Sequence, residues 1–219
     1  MHNYSLSVAL FDYIPVVVTA IGLALLARAI AQVHRPLATI AWVGAVLIPV
    51  GGLCKASWKL IIALGHAPIP WLENLLFIAL APGFVIMAFC LQFARRAWQQ
   101  GLAPTQASYS RGGLLASLSL PIGGALLAAW LLPESRLWFF WLLAITTIAN
   151  AALIVQAIIA ARWAGLGWPI SACFCYSFAA ILALSGLSRL PDGETTAWIQ
   201  EGVNLSAQLA LAVGLWRLS

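Results

Sequence analysis

The chain consists of long uninterrupted apolar runs separated by short polar breaks. A helix crosses roughly 30 Å of hydrocarbon with about 20 residues, which is the length scale of these runs. The runs lie at residues 10–30, 38–63, 72–94, 113–132, 137–161, 168–189 and 196–216. Because the apolar residues are continuous, and because an open sheet in lipid leaves backbone groups unpaired, the pattern predicts helices rather than strands. The predicted fold class is all-α, a polytopic membrane bundle of seven transmembrane helices.

The breaks between the runs contain residues that end helices. Proline, in two cases with glycine, occurs in "VHRPLA", "GHAPIPW", "LPESR" and "LPDGETT". The longest polar connection is "FARRAWQQGLAPTQASYSRGG". The first run is preceded by no basic region and contains Asp12 and Pro15, which is not typical of a cleaved secretory signal. We therefore expect the first run to be a retained span.

Composition supports an integral membrane protein. The chain is 63% hydrophobic and 8% charged, whereas soluble domains are roughly a quarter charged. A single water-soluble core cannot enclose so much apolar surface. The predicted location is the cell membrane as a multi-pass protein, and the compact chain without targeting segments favours a bacterial cytoplasmic membrane.

The charged residues segregate in a way that predicts orientation. With the N-terminus outside, the inner ends of the spans collect Arg28, Arg35, Arg95, Arg96, Arg111, Arg162 and Arg217. The outer ends then carry only Arg136 and Arg189. All six acidic residues fall in the outer half, namely Asp12, Glu73, Glu134, Asp192, Glu194 and Glu201. The net charge of +5 is thus a topology signal that suits anionic membrane lipids, and it does not indicate nucleic acid. The C-terminus is predicted to be cytoplasmic.

Cofactor and metal chemistry have no support in the residue pattern. The cysteines all lie in predicted spans, at Cys54, Cys90, Cys173 and Cys175, and are interpreted as small apolar residues. The histidines lie at segment ends, at His2, His34 and His66. Neither set has the spacing of a metal site, and no phosphate loop or nucleophile elbow is present. The sequence predicts no cofactor and no metal.

The segment "GLCKASWKLIIALG" places the chain's only two lysines, Lys55 and Lys59, one turn apart near the end of the second span. They share a helix face with Gly51 and Gly52, which predicts a notch one turn deeper. Either lysine can extend its ammonium group to the interface instead, and this alternative is stronger for Lys59 because Lys55 lies deeper.

Three carboxylates are predicted at a similar depth, namely Asp12, Glu73 and Glu201. Two ammonium groups about 6 Å apart repel by roughly 3 kcal/mol at an effective dielectric of 20, so both lysines stay charged only with carboxylates nearby. A simpler alternative is that the glutamates complement the positive ends of their helices, an effect worth about 0.3 to 1 kcal/mol.

The last run carries the strongest polar pattern. In "WIQEGVNLSAQ", Trp198, Glu201, Asn204 and Gln208 lie on one broad helix face, which predicts a polar stripe directed toward mid-membrane. Asn204 and Gln208 can also act only as interhelical hydrogen-bonding groups.

Further polar and aromatic residues are candidates for the same interior. Thr146, Thr147 and Asn150 cluster near the middle of the fifth run. Most tryptophans fit an interfacial belt, but Trp58, beside the lysine face, and Trp198, on the carboxylate face, are candidate pocket walls.

A short internal repeat pairs "IIALG" and "WLEN" with "ILALSG" and "WIQEGVN". It predicts two parallel three-helix repeats, at residues 8–96 and 135–219, joined by a linker helix at 112–133 within a single transmembrane domain of residues 1–219. In span count, this arrangement resembles solute carriers built of triple-helix repeats and retinal-binding seven-helix proteins. The retinal-binding proteins carry a lysine in the last helix, and this chain has none there. Chance similarity between runs rich in Ala and Leu also accounts for the repeat.

Three functional hypotheses follow. The favoured one is a binding or transport protein with an outward-facing polar pocket for a small anionic or zwitterionic solute or a lipid headgroup. The alternatives are a structural or sensory membrane subunit and a lipid-modifying enzyme that uses Glu201 or Asp12 as general base, with no catalytic residue assigned. The predicted ligand-binding residues are Lys55, Lys59, Glu73, Glu201, Asn204, Asp12, Trp58, Trp198 and Asn150. The predicted partners are membrane lipids, the ligand, and a membrane protein or a second copy of the chain.

Overall fold

The computed structural model describes residues 5–132, 134–187, 190 and 193–219. Within these residues the regular structure is helical, with one short 3₁₀ turn at Arg35–Leu37. The helices are α1 (Leu6–Phe11), α2 (Tyr13–Val33), α3 (Ala38–Ala63), α4 (Pro70–Gln99), α5 (Arg111–Leu131), α6 (Leu137–Trp163), α7 (Gly167–Leu187) and α8 (Glu194–Leu218). The prediction of an all-α bundle is confirmed for the described part of the chain. Arg189 and Asp192, which the orientation argument uses, and residue 133 of the predicted linker lie outside the described residues.

The first predicted run differs from the structure. Instead of one helix at 10–30, the chain forms α1 and α2, which meet at Asp12. Pro15 lies in the first turn of α2, where its missing N–H leaves the carbonyl of Phe11 without the usual helical donor. The helix α1 ends at Phe11, where this hydrogen bond is missing, and it contacts α3 and α8 in addition to α2.

Six long helices form a closed ring in the order α2, α3, α4, α6, α7 and α8. Neighbours in this order are in contact, and α8 closes the ring against α2. The helix α5 packs on α6 and α4 from outside this ring. It is also the least buried of the apolar helices.

The ring encloses an apolar core in its middle and at one end. Fully or almost fully buried members of this core come from every helix of the ring, and include Leu26, Ala41, Met87, Leu153, Phe174 and Leu215. Large apolar side chains also cover the outer surface, where Leu115, Trp130 and Ile148 are each more than half exposed. An apolar exterior on this scale is typical of a protein solvated by lipid.

Six described helical segments are long and apolar enough to cross a membrane. They are Leu6–Val33, Arg35–Ala63, Pro70–Gln99, Arg111–Leu131, Leu137–Trp163 and Gly167–Leu187. The seventh predicted span corresponds to α8, which has 25 residues but does not reach the same hydropathy, because Glu201, Asn204 and Gln208 interrupt its apolar sequence. The structure thus agrees with a multi-pass helical membrane bundle with six apolar spans.

Candidate functional site

Two glycines bring α2 and α4 close to the lysines of α3. A Cβ placed at Gly51 would lie 2.8 Å from the carbonyl oxygen of Leu76 on α4. A Cβ placed at Gly52 would lie 3.0 Å from the side chain of Val16 on α2. The α4 backbone can approach Gly51, and the Val16 side chain can approach Gly52, this closely only because a side chain is absent at both positions. The predicted notch is therefore occupied by the neighbouring helices, which carry carboxylates to the lysines one turn further along α3.

Lys59 lies between two buried carboxylates. Its Nζ is 2.9 Å from Asp12 Oδ2 and donates a hydrogen bond to Glu201 Oε1 at 2.6 Å. Asp12 comes from the junction of α1 and α2, and Glu201 from the second turn of α8. We name Asp12, Lys59 and Glu201 the buried triad. It joins three segments that are far apart in the sequence.

Lys59 is more buried than its position along α3 predicted. Lys59 lies closer to the end of its helix than Lys55, yet 15% of its side chain is exposed, compared with 26% for Lys55. The reason is α1, which packs against α3 and α8 beside this end of the ring. Phe11 of α1 also makes an edge-to-face contact with Trp198 of α8, with ring centroids 5.4 Å apart. This burial disfavours the alternative in which Lys59 extends its ammonium group to the interface.

Lys55 forms a second, more accessible pair. Its Nζ donates to Glu73 Oε1 of α4 at 3.0 Å and lies 4.1 Å from the ring centroid of the buried Trp58. The Glu73 side chain is 37% exposed. We name Lys55 and Glu73 the open pair, and Trp58 packs against its ammonium group. Solvent or a ligand can therefore reach the ammonium group and the carboxylate, whereas the ring of Trp58 lies buried beside them.

The two groups together contain an excess of carboxylates. The carboxylates are Asp12, Glu73 and Glu201, and the ammonium groups are Lys55 and Lys59. With every group ionised, three negative and two positive charges leave one net negative charge. The open pair is neutral by itself, so the excess belongs to the triad.

A polar track continues from the triad along α8. One turn beyond Glu201, the side-chain oxygen of Asn204 accepts a hydrogen bond from Gln208 Nε2 at 3.4 Å. Gln208 Oε1 accepts a hydrogen bond from the Thr19 hydroxyl of α2 at 2.8 Å, which also reaches the carbonyl oxygen of Pro15 at 2.7 Å. The track therefore links α8 to α2 as well as leading inward.

The track ends where α2 and α8 pack closely. A Cβ placed at Gly22 would lie 3.0 Å from the Cα of Ala212. Beyond this contact the facing side chains are apolar and buried, namely Leu23, Leu26, Leu211 and Leu215. The polar groups of the track are thus connected to one end of the bundle and separated from the other by apolar packing.

The other predicted residues lie away from the buried triad and the open pair, or at their edge. Trp198 is partly exposed and packs on Phe11, so it holds α1 against α8. Asn150 is buried in α6, and no hydrogen bond or ion pair of the described residues joins it to the triad or the open pair. Thr146 and Thr147 donate their hydroxyl hydrogens to the carbonyl oxygens of Leu142 and Leu143 in their own helix.

Some residues of the site were not predicted. Thr19 completes the polar track, and the Tyr13 and Ser57 hydroxyls are 3.0 Å apart, which links α2 to α3 between the two lysines. All three are polar residues inside or at the edge of apolar runs. That signal is present in the sequence, but it does not identify the partner on another helix.

The opposite end of the bundle has different chemistry. Arg95 donates to Gln156 Oε1 at 2.8 Å, and Arg162 donates to Ser171 Oγ at 3.0 Å. These arginines bind neutral side chains, which leaves their positive charge uncompensated locally. The two ends therefore differ in electrostatic character, one with paired charges and one basic.

Comparisons with protein-family models, with curated proteins and with solved structures give no match for this chain.

Proposed function

We propose that this protein is a membrane binding or transport protein that takes a small zwitterionic solute, or a zwitterionic lipid headgroup, at the open pair. The observation that carries the proposal is the partly exposed contact between Lys55 and Glu73, 3.0 Å apart, beside the buried face of Trp58. A ligand with one anionic and one cationic group can take over both halves of this pair. Charged groups inside a membrane bundle are costly and commonly mark such sites.

The pairing favours a zwitterion over a simple anion. An anion that binds Lys55 displaces the Glu73 carboxylate and leaves it without an ammonium partner. A zwitterion supplies a carboxylate or phosphate for Lys55 and an ammonium group for Glu73, so the number of charge pairs is conserved. The buried ring of Trp58 lies against the Lys55 ammonium group and helps to hold it at the pair.

The topology belongs to the same proposal. A helix of 25 residues rises about 37 Å, which is long enough for α8 to be a seventh span whose polar face meets α2 instead of lipid. The orientation that places Arg95 and Arg162 in the cytoplasm then puts the open pair on the outer side of the membrane, here proposed as the bacterial cytoplasmic membrane. A helix ring in which α2, α3 and α4 are followed by α6, α7 and α8 in the same cyclic order supports two parallel repeats with α5 as the linker.

Ligand-dependent stabilisation tests the proposal. Full-length protein purified in a neutral detergent is heated with amino acids, with short-chain phosphocholine and phosphoethanolamine, and with anions and cations of matched size. A zwitterion at about 100 times its Kd should raise the free energy of unfolding by about 2.7 kcal/mol. Response to the free amino acids identifies a solute, and response to the phospholipid headgroups alone identifies a lipid.

Variants separate binding at the open pair from general effects. Lys55→Met and Glu73→Gln should each abolish the response to the zwitterion. Arg136→Met is the matched control, because this arginine is exposed at the same end of the bundle and lies over Phe139. Stabilisation of the wild-type protein by simple anions that equals the stabilisation by zwitterions would show that the charge-pair reasoning is wrong.

A structural subunit is the second candidate. Both lysines already have carboxylate partners, as expected if the ion pairs only hold helices together. This function predicts no response to any panel member, and a partner protein that remains bound in stoichiometric amount through detergent purification.

A further inference from the structure

We propose that the buried triad is a proton-binding site, in which the carboxyl groups of Asp12 and Glu201 share one exchangeable proton beside Lys59. The inference does not require a ligand at the open pair. It concerns a different set of side chains, and it gives the bundle a site that changes its charge by one unit when a proton enters or leaves.

The charge balance of the triad is the first reason. Two carboxylates contact a single ammonium group, so the fully ionised triad has one net negative charge. All three side chains are largely buried, and an uncompensated charge is strongly disfavoured there. One added proton makes the triad neutral. Two carboxylates that share a site commonly hold one proton between them for this reason.

The geometry of Glu201 is the second reason. Its side chain is 5% exposed, and Oε1 accepts the hydrogen bond from Lys59. Its other oxygen, Oε2, is buried and has no hydrogen-bond partner among the described residues. A buried carboxylate oxygen without a donor is the position at which a proton is gained most readily.

The described residues around Glu201 do not offer another source of compensation. From α3 the facing charged residues are Lys59, already in the triad, and Lys55, already paired with Glu73 of α4. From α1 and α2 the facing group is Asp12, which adds negative charge. The helix α7 packs against α8 and contains no Asp, Glu, Lys, Arg or His between residues 167 and 187. The helix α6 also contacts α8 and contains no such residue between residues 137 and 161. Within the described part of the chain, the excess carboxylate therefore has no cation of its own.

A proton fits this site better than a metal ion. The Lys59 ammonium group occupies the position between the carboxylates and would repel a second cation placed there. Hard cations also need several oxygen ligands around one point, and the described residues contain no group of acidic, histidine or cysteine side chains able to hold a metal. A proton needs only one oxygen.

Infrared spectroscopy of the full-length protein in nanodiscs tests the inference, because a protonated carboxyl group has a C=O stretch that ionisation removes and that shifts in D₂O. Exposed Asp and Glu side chains have pKa values of about 4, so their band disappears well below neutral pH. We expect one carboxyl band to persist at pH about 7. Carboxyl-¹³C labelling of aspartate or of glutamate then shifts this band in the unmodified protein, which assigns it without any substitution.

Variants place the proton at the triad. Glu201→Gln and Asp12→Asn should each remove the persistent band, whereas Glu194→Gln, at the exposed start of α8, should leave it unchanged. Absence of any persistent carboxyl band in the wild type, or its survival in both triad variants, would overturn the inference. So would Na⁺-specific thermal stabilisation, relative to choline, that is lost in Glu201→Gln when no carboxyl band is present, because the site would then hold a metal ion.

Discussion

Replacing Lys59 by methionine tests the triad as the main electrostatic constraint of the bundle. Methionine keeps an unbranched side chain of similar length but removes the ammonium group. The two carboxylates that Lys59 contacts at 2.9 Å and 2.6 Å then remain buried without a positive partner. We expect a clear loss of stability, since the desolvation cost of these groups is no longer offset.

The magnitude follows from the contacts and their burial. Contact of the Lys59 ammonium group with one ionised carboxylate is worth about 6 kcal/mol of attraction at an effective dielectric of 20, and the desolvation of the ions offsets much of it. Removing one partner of a buried ion pair costs about 3 to 5 kcal/mol. Lys55→Met removes the ammonium partner of Glu73, but the Glu73 side chain is 37% exposed. Exposed ion pairs contribute about 0 to 1 kcal/mol to stability.

The assay is unfolding of the purified protein by SDS titration in mixed micelles, followed by circular dichroism. Lys59→Met should lower the free energy of unfolding by about 3 to 5 kcal/mol, and Lys55→Met by about 1 kcal/mol or less. Arg136→Met serves as the control for loss of one positive charge at the same end. The double variant Lys59→Met/Glu201→Gln should recover at least about 1 kcal/mol of the loss, because it removes one of the stranded carboxylates.

Two results would refute this reasoning. Equal costs for Lys59→Met and Lys55→Met would show that burial does not distinguish the two pairs. An additive double variant would show that Lys59 and Glu201 do not interact energetically, whatever their distance.

Three further predictions concern packing, the polar track and orientation. Gly51→Ala should lower the free energy of unfolding by about 1 to 3 kcal/mol in the same titration, because the added Cβ would meet α4. Gly123→Ala is the control, with nothing near its added Cβ, and should be neutral or stabilising by up to about 1 kcal/mol. Equal effects of the two substitutions would contradict close packing at Gly51. Thr19→Val removes the hydrogen bond to the track and should cost about 0.6 to 2 kcal/mol; no loss would show that the track does not stabilise the bundle. In a cysteine-free background, an impermeant maleimide added to intact cells should label Glu134→Cys and not Gln106→Cys, and the reverse pattern would invert the proposed orientation.

The helices were largely predictable from the sequence because lipid imposes a length and an apolar composition on each span. The second predicted run, at 38–63, coincides with α3, and the fifth lies within two residues of α6. The first run was predicted less well. A proline in the first turn of a helix is compatible with either a continuous or a divided segment, and the packing of α1 decides which one forms.

The candidate site was predictable as a set of residue types but not as a set of contacts. The positions of the carboxylates along their predicted spans place them at the same depth in the membrane as the lysines. The same reasoning predicts that Lys55 is more buried than Lys59, because Lys55 lies one turn further from the helix end. Burial depends on what covers a side chain, and α1 covers Lys59. Their proposed roles in ligand or proton binding remain predictions.

The apolar runs of the sequence indicate a helical membrane bundle, and most arginines and the carboxylates gather at opposite ends of its spans, because the hydrocarbon solvent selects these features along the chain. The packing of the helices places Lys59 between Asp12 and Glu201 and pairs Lys55 with Glu73. These contacts depend on how closely α2 and α4 approach α3 and how closely α8 approaches α2, and Gly52, Gly51 and Gly22 lie at these three contact surfaces. Helix periodicity places a residue on a face, but the partner across the face is a property of the packed bundle.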